Sequence, residues 1–318
     1  MHRTSRRPPG YWRRLFLFGL SALLLGLALS VVFGGLWLAH ERALGLVRPG
    51  RTLPQRTPAD VGITHWRDVS FESQDGLMLS GWYVATENGA TVILVHGLGS
   101  NREELLDEAA LLVAEGYGVL LFDLRSSGAS EGDLTTLGYL EVLDVGGALA
   151  FVLAQPESDA ERVGLLGHSM GGATAILAAA RYPQVRAVVA ESAYTSVEDN
   201  VSDSVEALTG LPAFPFAPFV VWFGERETGL DIKQVSPIEA IGILSPRPIL
   251  LVHGELDAAI SVENGRRLYA AAGEPKELYV IPNAGHGGFL QAQPEEYPRR
   301  VVGFFDRYLL HRERDAAP

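Results

Sequence analysis

The chain of 318 residues has no cysteine. Disulfides, thiolate metal sites and a cysteine nucleophile are therefore excluded. Basic residues are in deficit: 26 Lys and Arg face 38 Asp and Glu, for a net charge of −12. Five of the arginines (Arg3, Arg6, Arg7, Arg13 and Arg14) stand in an opening tail with no acid, so the remaining body is more acidic still. Such a body is a poor match for nucleic acid or for an anionic bilayer surface. No H-E-x-x-H, P-loop or dinucleotide fingerprint occurs, so no metal and no cofactor is implied. There is no internal repeat. Glycine and proline are not extreme and apolar residues make up 47%, which excludes disordered and collagen-like classes.

One long uncharged run is present, Leu15–Ala39, rich in Leu, Val, Phe and Gly. As a helix it covers about 37 Å, enough to cross a bilayer with some tilt. It exceeds the core of a signal peptide, which is about 7–15 residues. The sequence therefore divides into a basic tail (1–14), a transmembrane anchor (15–39), a linker (40–62), a catalytic-sized domain (63–312) and a polar tail (313–318). Arg42, Arg48, Arg51 and Arg56 follow the run against only Glu41, so the charge bias across it is modest. A short tail with five arginines resists translocation. The expected topology is single-pass, with the domain outside the cytoplasm.

From Thr64 onward, short apolar strands alternate with amphipathic helices. Val69–Glu72 and Met78–Val84 flank a Gln-Asp-Gly turn and read as a hairpin. Thr91–Val95, Tyr117–Phe122, Val163–Leu166, Ala187–Ala190, Ile249–Val252 and Leu278–Ile281 read as strands. Helices are expected at Glu103–Glu115, Leu137–Ala154, Gly171–Arg181, Glu263–Ala272 and Glu295–Leu310. This is an α/β pattern with a mostly parallel sheet and helices on both faces. One interval, about residues 195–245, is too long for a plain crossover and reads as a cap. Its centre, Leu211–Gly224, holds Phe214, Phe216, Phe219, Trp222 and Phe223. The expectation is that these form the cap's own core. The functional alternative is a wall for an acyl chain or a face dipping towards a membrane.

The chemistry centres on G-x-S-x-G at Gly167-His168-Ser169-Met170-Gly171, between an expected strand and an expected helix. That context is a nucleophile elbow. A serine hydroxyl needs a base, and the base needs an orienting acid, in the chain order Ser, Asp or Glu, His. His286, in Asn283-Ala284-Gly285-His286-Gly287-Gly288, follows the last strand and is the expected base. His253, beside Gly254, and His311, in the polar tail, are the other downstream histidines. Asp257, just after a buried strand, is the expected acid; Glu255 and Glu191 are less well placed. The oxyanion hole is expected from the backbone N–H groups of Met170 and of Leu98 in His96-Gly97-Leu98-Gly99. His96 is read as shaping that turn, His168 as structural, and Asp123 as organising its loop.

These pieces together resemble the serine α/β-hydrolases over about Thr64–Leu310. They resemble the single-pass, membrane-anchored α/β-hydrolase-domain proteins and their bacterial relatives, the serine aminopeptidase-like hydrolases. The motifs are His96-Gly97, Asp123…Ser127-Gly128, Gly138…Glu141…Asp144, the elbow, Gly254…Asp257 and Gly285-His286. The resemblance implies cleavage of an ester, thioester or amide through an acyl-enzyme. Haloalkane dehalogenase-like and epoxide hydrolase-like chemistry would need Asp at position 169. The expected function is a membrane-tethered serine hydrolase that cleaves an ester or thioester of a small-molecule or lipid-like acyl substrate through an acyl-enzyme. A peptidase with an acidic amine pocket from Glu191, Glu198 and Asp199 is the alternative, and a non-catalytic binding protein is a third.

Overall fold

The computed structural model describes residues 10–209 and 213–311. Arg3, Arg6 and Arg7 of the basic tail, residues 210–212 of the cap and the polar tail at 313–318 lie outside the described residues. Eight strands form one sheet: β1 (Arg67–Glu72), β2 (Met78–Val84), β3 (Thr91–Val95), β4 (Gly118–Phe122), β5 (Val163–His168), β6 (Val185–Glu191), β7 (Ile249–Gly254) and β8 (Lys276–Ile281). Their order is β1-β2-β4-β3-β5-β6-β7-β8. β1 and β2 form the antiparallel hairpin, β2 runs antiparallel to β4, and every later pairing is parallel. β3, β4, β5 and β7 are buried along their whole length, as solid apolar runs require.

Helices cover both faces. α2 (Leu106–Ala114) and α10 (Glu296–Leu309) close one core, in which Leu106, Leu112, Val301 and Phe305 pack on Val92, Leu94 and Val189. α3 (Glu141–Leu153), α4 (Met170–Arg181) and α8 (Val262–Ala271) close the other. α3 starts four residues later than its apolar pattern. The Glu141 carboxylate gathers the Thr135 and Thr136 hydroxyls and the Thr136 and Gly138 N–H groups, at 2.6–2.8 Å. Those bonds hold the preceding turn, in which Leu137 and Gly138 both have positive φ, out of the helix. A short α9 (Phe289–Ala292) precedes α10.

Between β6 and β7 the chain is helical: α5 (Val197–Thr209), α6 (Ala213–Thr228) and α7 (Pro237–Ala240), with short 3-10 turns. Ahead of the sheet, α1 (Tyr11–Val47) is long and apolar enough to cross a membrane. It continues beyond the uncharged run, through residues that read as linker. Ala39, Ala43 and Val47, one face at four-residue spacing, are buried in the packing of α1 against α6. From Trp12 to Gly34 the helix is exposed throughout.

That packing corrects the reading of the cap aromatics. They are not the cap's own core: Phe214 is 80% exposed and Trp222 51%. The buried residues of α6 are Ala217 and Val220. Phe216 and Phe223 turn to α1, where they meet Gly35 and His40.

Candidate active site

Ser169 sits between the end of β5 and the start of α4 with φ 56° and ψ −119°. A non-glycine residue in that region is strained and is held there by its surroundings. The two glycines of the motif are required by close approach. A Cβ on Gly167 would overlap the carbonyl of Gly171, and one on Gly171 would overlap the carbonyl oxygen of Val95. Helix and strand therefore converge at the elbow, and the Ser169 hydroxyl emerges beyond the carboxyl edge of the sheet.

His286 lies in the loop between β8 and α9. Its Nε2 is 3.0 Å from Ser169 Oγ, and its Nδ1 is 2.8 Å from Asp257 Oδ2. Asp257, beyond β7, is buried. It accepts further bonds from the Ser192 hydroxyl (2.8 Å) and from the backbone N–H groups of Ala259 (3.0 Å) and Ile260 (2.9 Å). Burial alone would raise the pKa of this carboxyl. Hydrogen bonding from His253, His286 and the Ile260 amide outweighs it and holds Asp257 well below the usual carboxylate range. His253 is fixed by its own bond to the Ile260 carbonyl, at 2.8 Å.

Leu98 and Met170 line the same cavity as Ser169. Met170 opens α4, so its N–H belongs to the first turn, which has no acceptor within the helix. In the turn after β3, the Gly97 N–H donates to Glu104 Oε2 at 2.5 Å, which makes Leu98 the next amide along. His96 shapes that turn: Nδ1 meets the Gly97 carbonyl at 2.7 Å, and Nε2 accepts the Leu124 N–H at 3.0 Å. Asp123 organises its loop by accepting the Arg102 and Ala129 N–H groups, both at 2.8 Å.

His168 does not reach Ser169 as a base. Its Nε2 is 2.7 Å from the carbonyl oxygen of His286, and its Nδ1 is 3.3 Å from Glu104 Oε1. Burial opposes a charge on this ring, but the Glu104 carboxylate, the nearby Glu191 and the His286 carbonyl raise its pKa to about 9. The ring therefore ties the His286 loop to the Leu98 turn. Glu255 is in the loop after β7, where it accepts the Asn283 N–H at 3.3 Å. Glu191 is buried and accepts the Tyr297 hydroxyl; burial pushes its pKa up to about 7.

Reading the sequence missed Glu104 and Ser192. Glu104 lies in an ordinary amphipathic stretch, and only the turn of the chain after β3 brings it to His168. Ser192 follows β6 with φ 46° and carries no motif. Arg125 was also missed. It bridges Asp144 (2.7 Å) and Asp75 (2.8 Å), which locks the start of α3 to the hairpin turn.

A family model described as serine aminopeptidase, S33, matches residues 86–237. The Pyrococcus furiosus esterase PF2001 superimposes with a TM-score of 0.71 at 29% identity, covering 83% of this chain and 98% of that one. The uncharacterized protein Rv2307c of Mycobacterium tuberculosis is 30% identical over 243 residues, 74% of this chain and 76% of its own. The chain belongs to the serine α/β-hydrolase superfamily. The uncharacterized protein YqkD of Bacillus subtilis matches this hydrolase at 28% identity over 234 residues, 73% of this chain and 76% of its own. The acylaminoacyl peptidase of Pyrococcus horikoshii shares its fold with a TM-score of 0.60 at 22% identity, over 80% of this chain and 43% of that one.

Proposed function

We propose that this hydrolase is a membrane-tethered serine esterase or thioesterase that works through Ser169, His286 and Asp257. The observation that carries the reading is the unbroken hydrogen-bonded line from Ser169 Oγ through His286 to Asp257, at 3.0 and 2.8 Å. His286 Nε2 takes the proton as Ser169 Oγ attacks the acyl carbonyl. The N–H groups of Leu98 and Met170 hold the oxyanion. The tetrahedral intermediate collapses, and the protonated His286 hands its proton to the leaving oxygen or sulfur. Water then repeats the sequence on the acyl-serine and regenerates the enzyme. Asp257, ionised and bonded to Nδ1, keeps the imidazole in the tautomer that leaves Nε2 free to accept.

An ester is favoured over an amino-terminal peptide. The acids expected to bind a substrate amine do not converge at the site. Glu191 is bonded to Tyr297, Glu198 is exposed, and Asp199 pairs with Arg267 at 3.0 Å. None of the three lines the cavity over Ser169, and the carboxylate that does, Glu41, stands beside Arg42. The esterase from Pyrococcus furiosus supports the same choice. α1 supplies the tether, with the domain outside the cytoplasm.

A fluorophosphonate probe tests the reading. The wild-type chain is expected to label, and Ser169→Ala to lose both labelling and at least about 10³-fold of p-nitrophenyl ester turnover. Equal labelling of Ser169→Ala would overturn the assignment of the nucleophile. Faster turnover of aminoacyl-anilides than of esters would overturn the assignment of the substrate.

A further inference from the structure

We infer that the acyl substrate is a long-chain ester lipid, which reaches Ser169 directly from the bilayer through a sleeve whose wall is the end of α1. The inference rests on Ser169 acting as nucleophile and on α1 crossing the membrane. The cavity over Ser169 measures about 310 Å³, and four residues of α1 line it: Glu41, Arg42, Gly45 and Leu46. A narrower apolar cleft beside it is lined by Ala43, Leu46 and Val47 of α1 and by Val220, Val221 and Val235. The two spaces share Leu46, Leu137, Val201 and Val220 as walls, so the apolar cleft, of about 40 Å³, adjoins the serine's cavity between α1 and the cap helices. The helix that would anchor the protein is thus also a wall of its substrate site.

The depth follows from helix geometry. About 20 apolar residues cross the hydrocarbon, and the uncharged run holds 25, so the bilayer edge falls near Gly35–Ala39. Glu41 is six residues past Gly35, a rise of about 9 Å. The charged mouth formed by Glu41 and Arg42 therefore sits at headgroup level, with the apolar sleeve next to it.

α6 places its aromatics at the same depth. It runs parallel to α1, with Phe216 against Gly35, Phe223 against His40 (5.0 Å between rings) and Glu227 paired to Arg48 at 2.7 Å. A Cβ on Gly35 would lie 2.8 Å from the Phe216 ring, so α6 begins level with the end of the apolar run. Phe214 and Trp222 of α6 and Trp37 of α1 are 80%, 51% and 65% exposed. Aromatic side chains exposed at this level match the interfacial belt of membrane proteins. In water they would form a costly apolar patch. A lipid whose ester lies at the headgroup boundary would rise past Glu41 and Arg42 to Ser169, and the apolar cleft at Ala43–Val47, about 3–9 Å further along α1, would take part of its acyl chain.

The test uses the full chain in lipid nanodiscs, with 1-oleoylglycerol in the disc and p-nitrophenyl acetate in the water. The Phe214→Glu/Trp222→Glu double variant is expected to lose at least tenfold in oleoylglycerol turnover and to stay within twofold on acetate. Both side chains point to the outside, and labelling by fluorophosphonate confirms that the variant is folded. Gly45 lines the cavity and a Cβ there meets no atom within 4 Å, so Gly45→Trp adds bulk beside the cavity at a position whose Cβ has room. It is expected to lower the ratio of oleoylglycerol to acetate kcat/KM at least tenfold. Wild-type ratios in both variants, or wild-type chain that cleaves acetate but not oleoylglycerol, would overturn the bilayer route and leave the hydrolase reading intact. Wild-type chain that neither labels nor cleaves acetate would overturn the hydrolase reading itself.

Discussion

His168 shows how a residue inside the nucleophile motif can act without touching the reaction. Its ring is buried against Glu104 and bonded to the carbonyl of His286, so it ties down the loop that carries His286. The folded pKa, about 9, lies above the ordinary value of about 6.5. A raised pKa in a cation means that its stabilisation is complete below about pH 6.5 and is lost as pH rises through about 9. The difference is on the order of 3 kcal/mol. The melting temperature is therefore expected to fall between pH 6.5 and 9.5, and Glu104→Gln should flatten that fall. The His168 imidazole should titrate near pH 9 by NMR; titration below 7 would rule out the charged pair. Ser169, His286 and Asp257, which the structure brings into one hydrogen-bonded line, are singled out in the sequence by the motif and the chain order. Glu104 could not, because nothing local distinguishes it from the other acids of its stretch.

The elements that position the site depend on how closely they approach one another. β3, β5 and α4 meet at the elbow, where Gly171 lies against the backbone of Val95. Gly171→Ala must force the strand and helix apart, an overpacking cost of about 3 kcal/mol. Gly303, in α10, is the control: a Cβ there meets no atom within 4 Å, and Ala is the better helix former. The urea midpoint is expected to fall for Gly171→Ala, with loss of fluorophosphonate labelling, and to rise by the equivalent of about 0.5–1 kcal/mol for Gly303→Ala. A neutral Gly171→Ala would show that the elbow is not closely packed. The strands and the larger helices could be read from apolar runs and spacing. The delayed start of α3 could not, because the buried carboxylate of Glu141, four residues past Leu137, decides it.

For the whole molecule, the proposed tether carries a prediction of orientation. The five arginines before the apolar run oppose translocation of the tail, and the acidic body is a poor match for an anionic surface. A periplasm-active reporter joined after Pro318 is expected to be active. Activity only from a reporter that works in the cytoplasm would reverse the topology. The same orientation sets which leaflet faces the mouth at Glu41 and Arg42.

The order of strands and helices, the turn at Ser169, the loop positions of His286 and Asp257 and the long apolar helix were all legible in the chain. Each is a local pattern or a fixed succession, and short-range physics is sufficient to read it. The aromatics of residues 214–223 were not: their composition is the same whether they form a core or a surface. Packing decided between the two. Only when α6 lies along α1 do Phe214 and Trp222 face outward, while Leu46 and Gly45 become part of the cavity over Ser169. That contact joins residues about 180 positions apart, and no local pattern encodes a pairing at that distance.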